Sequence, residues 1–169
     1  MKKHFAHYGL YYFIIFLSLF FGKESLCQGA SPNDIVGIKV KTSGESNRNG
    51  IVEADIILEI KKGWHINADK PLDDYLTPTV VSIKDTVNVN LISIKYPPPL
   101  LSKLKFSGNE LALYENEAVI KLQLRIKKGF KKLSLKINGG VQYQPCNDQT
   151  CLFPVSKPFS IELKFKKAK

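Results

Sequence analysis

The chain has 169 residues, 44% of them hydrophobic, enough for one domain with a buried core. It carries 25 Lys plus Arg against 15 Asp plus Glu, a formal charge of +10, and a basic balance raises nucleic acid or an anionic membrane as a partner. The lysines, among them Lys61, Lys62, Lys84, Lys95, Lys121, Lys127, Lys128, Lys131, Lys132 and Lys136, are spread out and mostly alternate with apolar residues, as on the solvent face of a sheet. That distribution argues against nucleic acid and leaves acidic lipid or an acidic partner protein open.

Lys2 and Lys3 precede an apolar run over residues 10–21, and the more polar Gly22-Lys23-Glu24-Ser25 follows, the charged, hydrophobic, polar order of a secretory signal. The run falls short of the about 20 apolar residues that cross a bilayer. Ser25 and Cys27 put small residues at the two positions a signal peptidase inspects, so residues 1–27 read as a cleaved signal peptide and 28–169 as a single domain. A rival reading makes Cys27 the lipid-bearing first residue of a lipoprotein, associated with a membrane through that lipid; bulky Leu26 speaks against it. Either way the folded part is periplasmic or secreted, keeps two cysteines, and has a balance of 22 basic to 14 acidic residues once Lys2, Lys3, Lys23 and Glu24 are gone. Export is a further argument against a nucleic-acid partner.

Strands are predicted at 35–41, 52–61, 79–84, 89–96, 110–114, 118–126, 132–137 and 159–165, all rich in Val, Ile, Leu and Phe and mostly alternating apolar with polar. Ser134-Leu135-Lys136-Ile137 and Ser160-Ile161-Glu162-Leu163-Lys164-Phe165 show the period of two most cleanly, one face for a core and one for water. No stretch sustains a helical period. Turn residues punctuate the runs at 47–50, Gly63, 97–99, Asn109, Gly129 and 138–140, the rhythm of an antiparallel sandwich. Leu58-Glu59-Ile60-Lys61-Lys62-Gly63-Trp64 and Leu124-Arg125-Ile126-Lys127-Lys128-Gly129-Phe130 resemble each other; each reads as a long strand turning at glycine, with the aromatic returning to the core.

The chemistry-bearing run is Tyr143-Gln144-Pro145-Cys146-Asn147-Asp148-Gln149-Thr150-Cys151-Leu152-Phe153-Pro154. A disulfide here would close a very small loop. The chain-entropy gain, about 3 kcal/mol for a 15-residue loop, shrinks with loop size, so reactivity explains the pair better than stability does. Exchange needs an attacking thiolate, a second thiol near enough to resolve the mixed disulfide, and access for the partner's sulfur. Pro145 and Pro154 restrict the backbone, and Asn147-Asp148 favours a turn, which places the pair at or beside a hairpin end. The competing structural reading is an inert bond tying a hairpin. Zinc finds no further Cys or compact His cluster to complete four ligands, and no cofactor is called for.

Tyr143-Gln144-x-Cys146, a short spacer, Cys151 and then a proline, preceded by Gly63-Trp64-His65-Ile66-Asn67 and by Phe106-Ser107-Gly108 running to Tyr114, resemble the N-terminal periplasmic domain of the thiol:disulfide interchange protein DsbD over nearly the whole mature chain. The resemblance implies an immunoglobulin-like antiparallel β-sandwich that receives electrons from a membrane-embedded donor and passes them to thioredoxin-like periplasmic oxidoreductases. By position it implies that Cys151 forms the mixed disulfide and Cys146 resolves it. Phe106 would be the aromatic of a cap loop shielding the pair, although a Phe between strands also suits a core. His65 and Asn67 fall where the family places tyrosines near the disulfide, and Tyr143 belongs to the cysteine motif; all three are candidates to line the site. A His can accept a proton, or it can be a hydrogen-bonded structural residue.

This chain departs from the best-known members in having one residue fewer between the cysteines, and Leu104 and Lys105 where they carry acidic residues before the cap phenylalanine. It ends at Lys169 without membrane segments or a thioredoxin-like domain, so a separate protein is expected to supply the electrons. Asp69, Asp73 and Asp74 form an acidic cluster in a proline-containing loop with no matching His or Glu pattern, which favours a solvated turn. Pro97-Pro98-Pro99 reads as a stiff connection into the cap segment. The expected function is therefore protein thiol:disulfide exchange through Cys146 and Cys151. Its rivals are a non-enzymatic immunoglobulin-like binding module with a structural disulfide, and a basic membrane-surface module.

Overall fold

The computed structural model describes residues 31–42, 50–85 and 87–165. The leader, Cys27 and its lipidation lie outside the described residues. In chain order the elements are helix α1 (Pro32–Ile35) and strands β1 (Val36–Thr42), β2 (Ile51–Ile60), β3 (His65–Asn67), β4 (Val80–Ile83), β5 (Val89–Lys95), β6 (Leu100–Ser102), β7 (Leu111–Glu115), β8 (Glu117–Ile126), β9 (Ser134–Tyr143), β10 (Pro145–Cys146) and β11 (Val155–Lys164).

Alternation along the long strands builds the core. β8 buries Ala118, Ile120, Leu122, Leu124 and Ile126 and turns the residues between them outward, as the period of a half-buried strand requires. β8 sits inside the antiparallel sheet β1-β2-β8-β5. The three-stranded sheet β11-β9-β4 supplies Ile137, Val141, Tyr143, Phe159, Ile161 and Leu163 to the same core, so the two sheets sandwich it. Both predicted glycine turns are present. Trp64 N–H donates to the Lys61 carbonyl and Phe130 N–H to that of Lys127, with Gly63 and Gly129 at φ of 80° and 88°, and both aromatics pack on the core.

One expectation needs correcting. Asn138-Gly139-Gly140 does not turn but continues β9 through to Tyr143, paired on both sides. The glycines serve packing: a Cβ on Gly139 would lie 2.4 Å from Phe159 Cζ and 2.7 Å from the Ser82 carbonyl oxygen, so the missing side chain lets the Phe159 ring and β4 approach.

A third sheet, β10-β3-β7-β6, positions the site. β7 is apolar on both faces. Ala112 and Tyr114 join the main core with Ile66, whereas Leu111 and Leu113 form a second, smaller cluster with Leu76, Leu104 and Cys146. The chain passes from β7 to β8, and so from this sheet to the large one, through Asn116, whose φ of 58° is the left-handed conformation Asn tolerates and whose carbonyl accepts the Ile60 N–H.

A disulfide on the outer face of the small sheet

Cys146 ends the two-residue strand β10, and Pro145, which has no N–H to give to a ladder, stands at the first position of that strand. Cys146 and Cys151 face each other as an isolated antiparallel bridge and are joined by a disulfide, Cα to Cα 4.0 Å. The loop between them is set by Asn147. Its N–H donates to the Thr150 carbonyl at 2.9 Å, and its Oδ1 accepts the N–H groups of Gln149 and Thr150 at 2.8 and 2.9 Å. The Leu152 N–H, donating to the Pro145 carbonyl at 2.8 Å, closes the hairpin below the bond.

The two sulfurs are unlike. Cys146 is fully buried in the small cluster, while Cys151 is half-buried and packs against it. Two loops cover the cluster. Leu76 comes from the connection between β3 and β4, and Leu104 from the segment between β6 and β7, where the Ser107 N–H donates to the Leu104 carbonyl at 2.9 Å. Phe106, the expected cap residue, lies on this same segment but is 42% exposed and is not part of the buried cluster, whereas Leu104, at 2% exposed, belongs to the cluster with Cys146. The cap loop also reaches the inter-cysteine loop through an exposed ion pair, Lys105 Nζ to Asp148 Oδ2 at 3.2 Å.

His65 and Asn67 alternate on β3 and so share a face. His65 is directly opposite Cys146 on one side and Glu115 on the other. Its Nε2 lies 3.3 Å from Glu115 Oε2, and its Nδ1 is buried without a hydrogen-bond partner. Asn67 is fully buried and Nδ2 donates to the Thr77 carbonyl and to Gln144 Oε1, each at 3.0 Å. Gln144 Oε1 also accepts the Thr77 N–H at 3.0 Å, and Gln144 Nε2 donates to the Leu152 carbonyl at 3.2 Å. Gln144 thus ties β3, the β3–β4 connection and the segment just after Cys151 into one support. Tyr143 is placed elsewhere, in the main core, with its hydroxyl donating to the Pro32 carbonyl at 3.2 Å. Of the acidic cluster, Asp69 accepts the Tyr114 hydroxyl at 2.6 Å and is a structural partner.

Three site-building residues were not foreseen. Glu115 had no local signal, since its relation to His65 is cross-strand. Gln144 stood in the cysteine motif, and a polar residue between two buried positions is the signal that could have singled it out. Leu104 drew notice only as a departure, although a lone leucine between Lys103 and Lys105 is itself a sign of an inward-turned side chain.

The N-terminal periplasmic domain of ScsB from Proteus mirabilis has a similar structure at 14% identity and a TM-score of 0.54, over 80% of this chain and 49% of that one. The chain therefore spans about half the length of that relative, and the likeness gives the fold, an immunoglobulin-like sandwich. No curated protein matches. The family described as "Thiol:disulfide interchange protein DsbD, N-terminal" matches residues 39–163. With most of its sandwich and both cysteines inside that match, the chain belongs to the family of DsbD N-terminal domains.

Proposed function

We propose that the protein is an exported thiol:disulfide exchange domain that relays electrons through Cys146 and Cys151 between a membrane-embedded donor and thioredoxin-like oxidoreductases. The observation that carries this reading is the asymmetry of the pair, Cys146 fully buried and Cys151 half-buried at the edge of the cluster. A partner's sulfur can reach only an accessible atom, so Cys151 takes the mixed disulfide and Cys146 waits behind it to resolve it. Family membership supports the same chemistry.

The surroundings suit a protein partner. Phe153 is 87% exposed two residues beyond Cys151, Leu100 is exposed on β6 opposite Leu113 of the small cluster, and Tyr75 and Phe106 are exposed on the two loops that supply Leu76 and Leu104. Exposed apolar side chains on the segments next to a half-buried cysteine suit a docking oxidoreductase, which needs apolar contact near the reacting atom. Shielding by the cap loop would protect the pair until docking, with Phe106 on its outside where a partner meets it first.

Trapping tests the reading. The Cys146→Ala variant, expressed with its leader in a bacterial periplasm, should accumulate a mixed disulfide between Cys151 and a thioredoxin-like protein, cleaved by reductant. The Cys151→Ala variant should accumulate far less, because Cys146 is buried. Equal trapping by both, or by neither, would overturn the assignment.

A further inference from the structure

We propose that Glu115 positions His65 as the proton acceptor for the Cys146 thiol. This rests on the exchange reading above and concerns how the resolving step is made possible.

Cys146 must become a thiolate to resolve a mixed disulfide, yet it is fully buried, and desolvation disfavours a thiolate there unless a neighbour takes the proton. His65 is its directly opposed cross-strand neighbour, which puts the two Cβ atoms about 4.5–5.5 Å apart on one face of the sheet. On the other side of His65, in the same row, stands Glu115. The carboxylate, 3.3 Å from Nε2, holds the proton on that nitrogen and leaves Nδ1 with its lone pair. With Nε2 engaged by Glu115 on β7, Nδ1 is the nitrogen left to meet a donor from the neighbouring strand β10, where Cys146 is the register partner.

Nδ1 is buried and unpartnered in this disulfide form. Leaving a buried acceptor unsatisfied is destabilising, a cost without return if the histidine only packs. In the dithiol form the Cys146 S–H supplies the missing donor. The row Cys146, His65, Glu115 thus has the order of nucleophile, base and orienting carboxylate.

The step balances as follows. The Cys151 thiolate attacks a partner disulfide, forming the mixed disulfide and releasing one partner sulfur as thiolate. Cys146 gives its proton to His65 Nδ1, and its sulfur attacks Cys151 Sγ. The Cys146–Cys151 bond forms, the bond between Cys151 and the partner breaks, and the second partner sulfur leaves as thiolate. Two electrons have passed from this domain to the partner, which is reduced, and the imidazolium returns its proton to the departing thiolate or to water. Glu115 stabilises the imidazolium in between.

The aromatic disulfide dithiobisnitrobenzoate separates the two attacks in one trace, because the reduced protein releases a first coloured thiolate when Cys151 attacks and a second when Cys146 resolves. In His65→Phe the ratio of second to first release rates should fall by about tenfold or more. In Glu115→Gln, an exposed substitution that keeps size and an acceptor oxygen but removes the charge, it should fall about two- to fivefold, the range of an exposed ion pair. The His65→Phe pair should also become more reducing, by about 30 mV for a tenfold loss of the dithiol's stabilisation. Unchanged ratios and potential in both variants, with the second release intact, would overturn the relay and leave the exchange reading standing. A parent protein that never makes the second release would overturn the exchange reading itself, and the relay with it.

Discussion

Truncating Leu104 to alanine should unmask the disulfide. Leu104 is 2% exposed and packs with Leu76, Leu111, Leu113 and Cys146, so the closed position of the cap loop depends on its burial. A buried Leu→Ala change costs about 2–5 kcal/mol. If reduction requires this loop between β6 and β7 to open while the sandwich stays folded, that cost falls on the closed state of the loop. At the low end, about 2 kcal/mol, and with 1.4 kcal/mol per factor of ten, the open population rises about 30-fold. The assay is the second-order rate of reduction of the oxidised protein by dithiothreitol, which should rise by about the same factor if reduction passes through the open loop. Phe106→Ala gives the comparison. Its ring is 42% exposed, and losing the remaining burial, about 1 kcal/mol, accelerates reduction about fivefold. If Leu104→Ala keeps its fold and is reduced no faster than the parent, or Phe106→Ala is the faster of the two, the reasoning fails and the shield resides in Phe106.

Further expectations concern the support of the site. Gln144→Ala removes three hydrogen bonds and leaves the Thr77 N–H and one Asn67 Nδ2 hydrogen bond without their acceptor, so urea denaturation should show a loss of about 2–4 kcal/mol. Gly139→Ala should cost more than about 3 kcal/mol or abolish folding, because its Cβ meets a ring carbon and a backbone oxygen well inside contact distance. Gly140→Ala, whose Cβ finds 3.7 Å to its nearest neighbour, should stay folded in the same thermal scan. Burial, and then the charge of Asp34, push the Tyr143 hydroxyl from 10.0 up to about 12, and burial with the Asp69 hydrogen bond holds Tyr114 well above its ordinary value. Both raise the protonated form in the folded state, so their contribution is complete below pH 10 and is lost as pH climbs from 10 toward 12. Denaturation followed across that interval should fall less steeply in Tyr143→Phe than in the parent.

How much the sequence disclosed depended on whether a feature was local. The long strands were legible because alternation is local: β8 needed only its own ten residues to declare its buried face. The cysteine run and its neighbouring motifs led to the family through their own order. The small sheet was harder. β3, β6 and β10 have three, three and two residues, too few for a period to emerge; β7 offers its two edges to β3 and β6, and β10 pairs on the far edge of β3. Gly139-Gly140 was read as a turn from glycine's usual habit, and the reason it is not one lies twenty residues away in Phe159. Within the site the same boundary holds. Gln144 was visible as a motif letter and its three hydrogen bonds were not, while Glu115 stands next to His65 only through the register of β3 on β7.

The most direct test of the account is the reduction potential of the Cys146–Cys151 bond, measured by equilibrating the purified protein with dithiothreitol or glutathione couples. An exchange domain in which Cys151 is only half-buried should equilibrate readily at about −120 to −270 mV, the span of exchange proteins. A potential below about −300 mV, with no equilibration at the pair until the protein is unfolded, would make the bond a staple of the hairpin and contradict the relay.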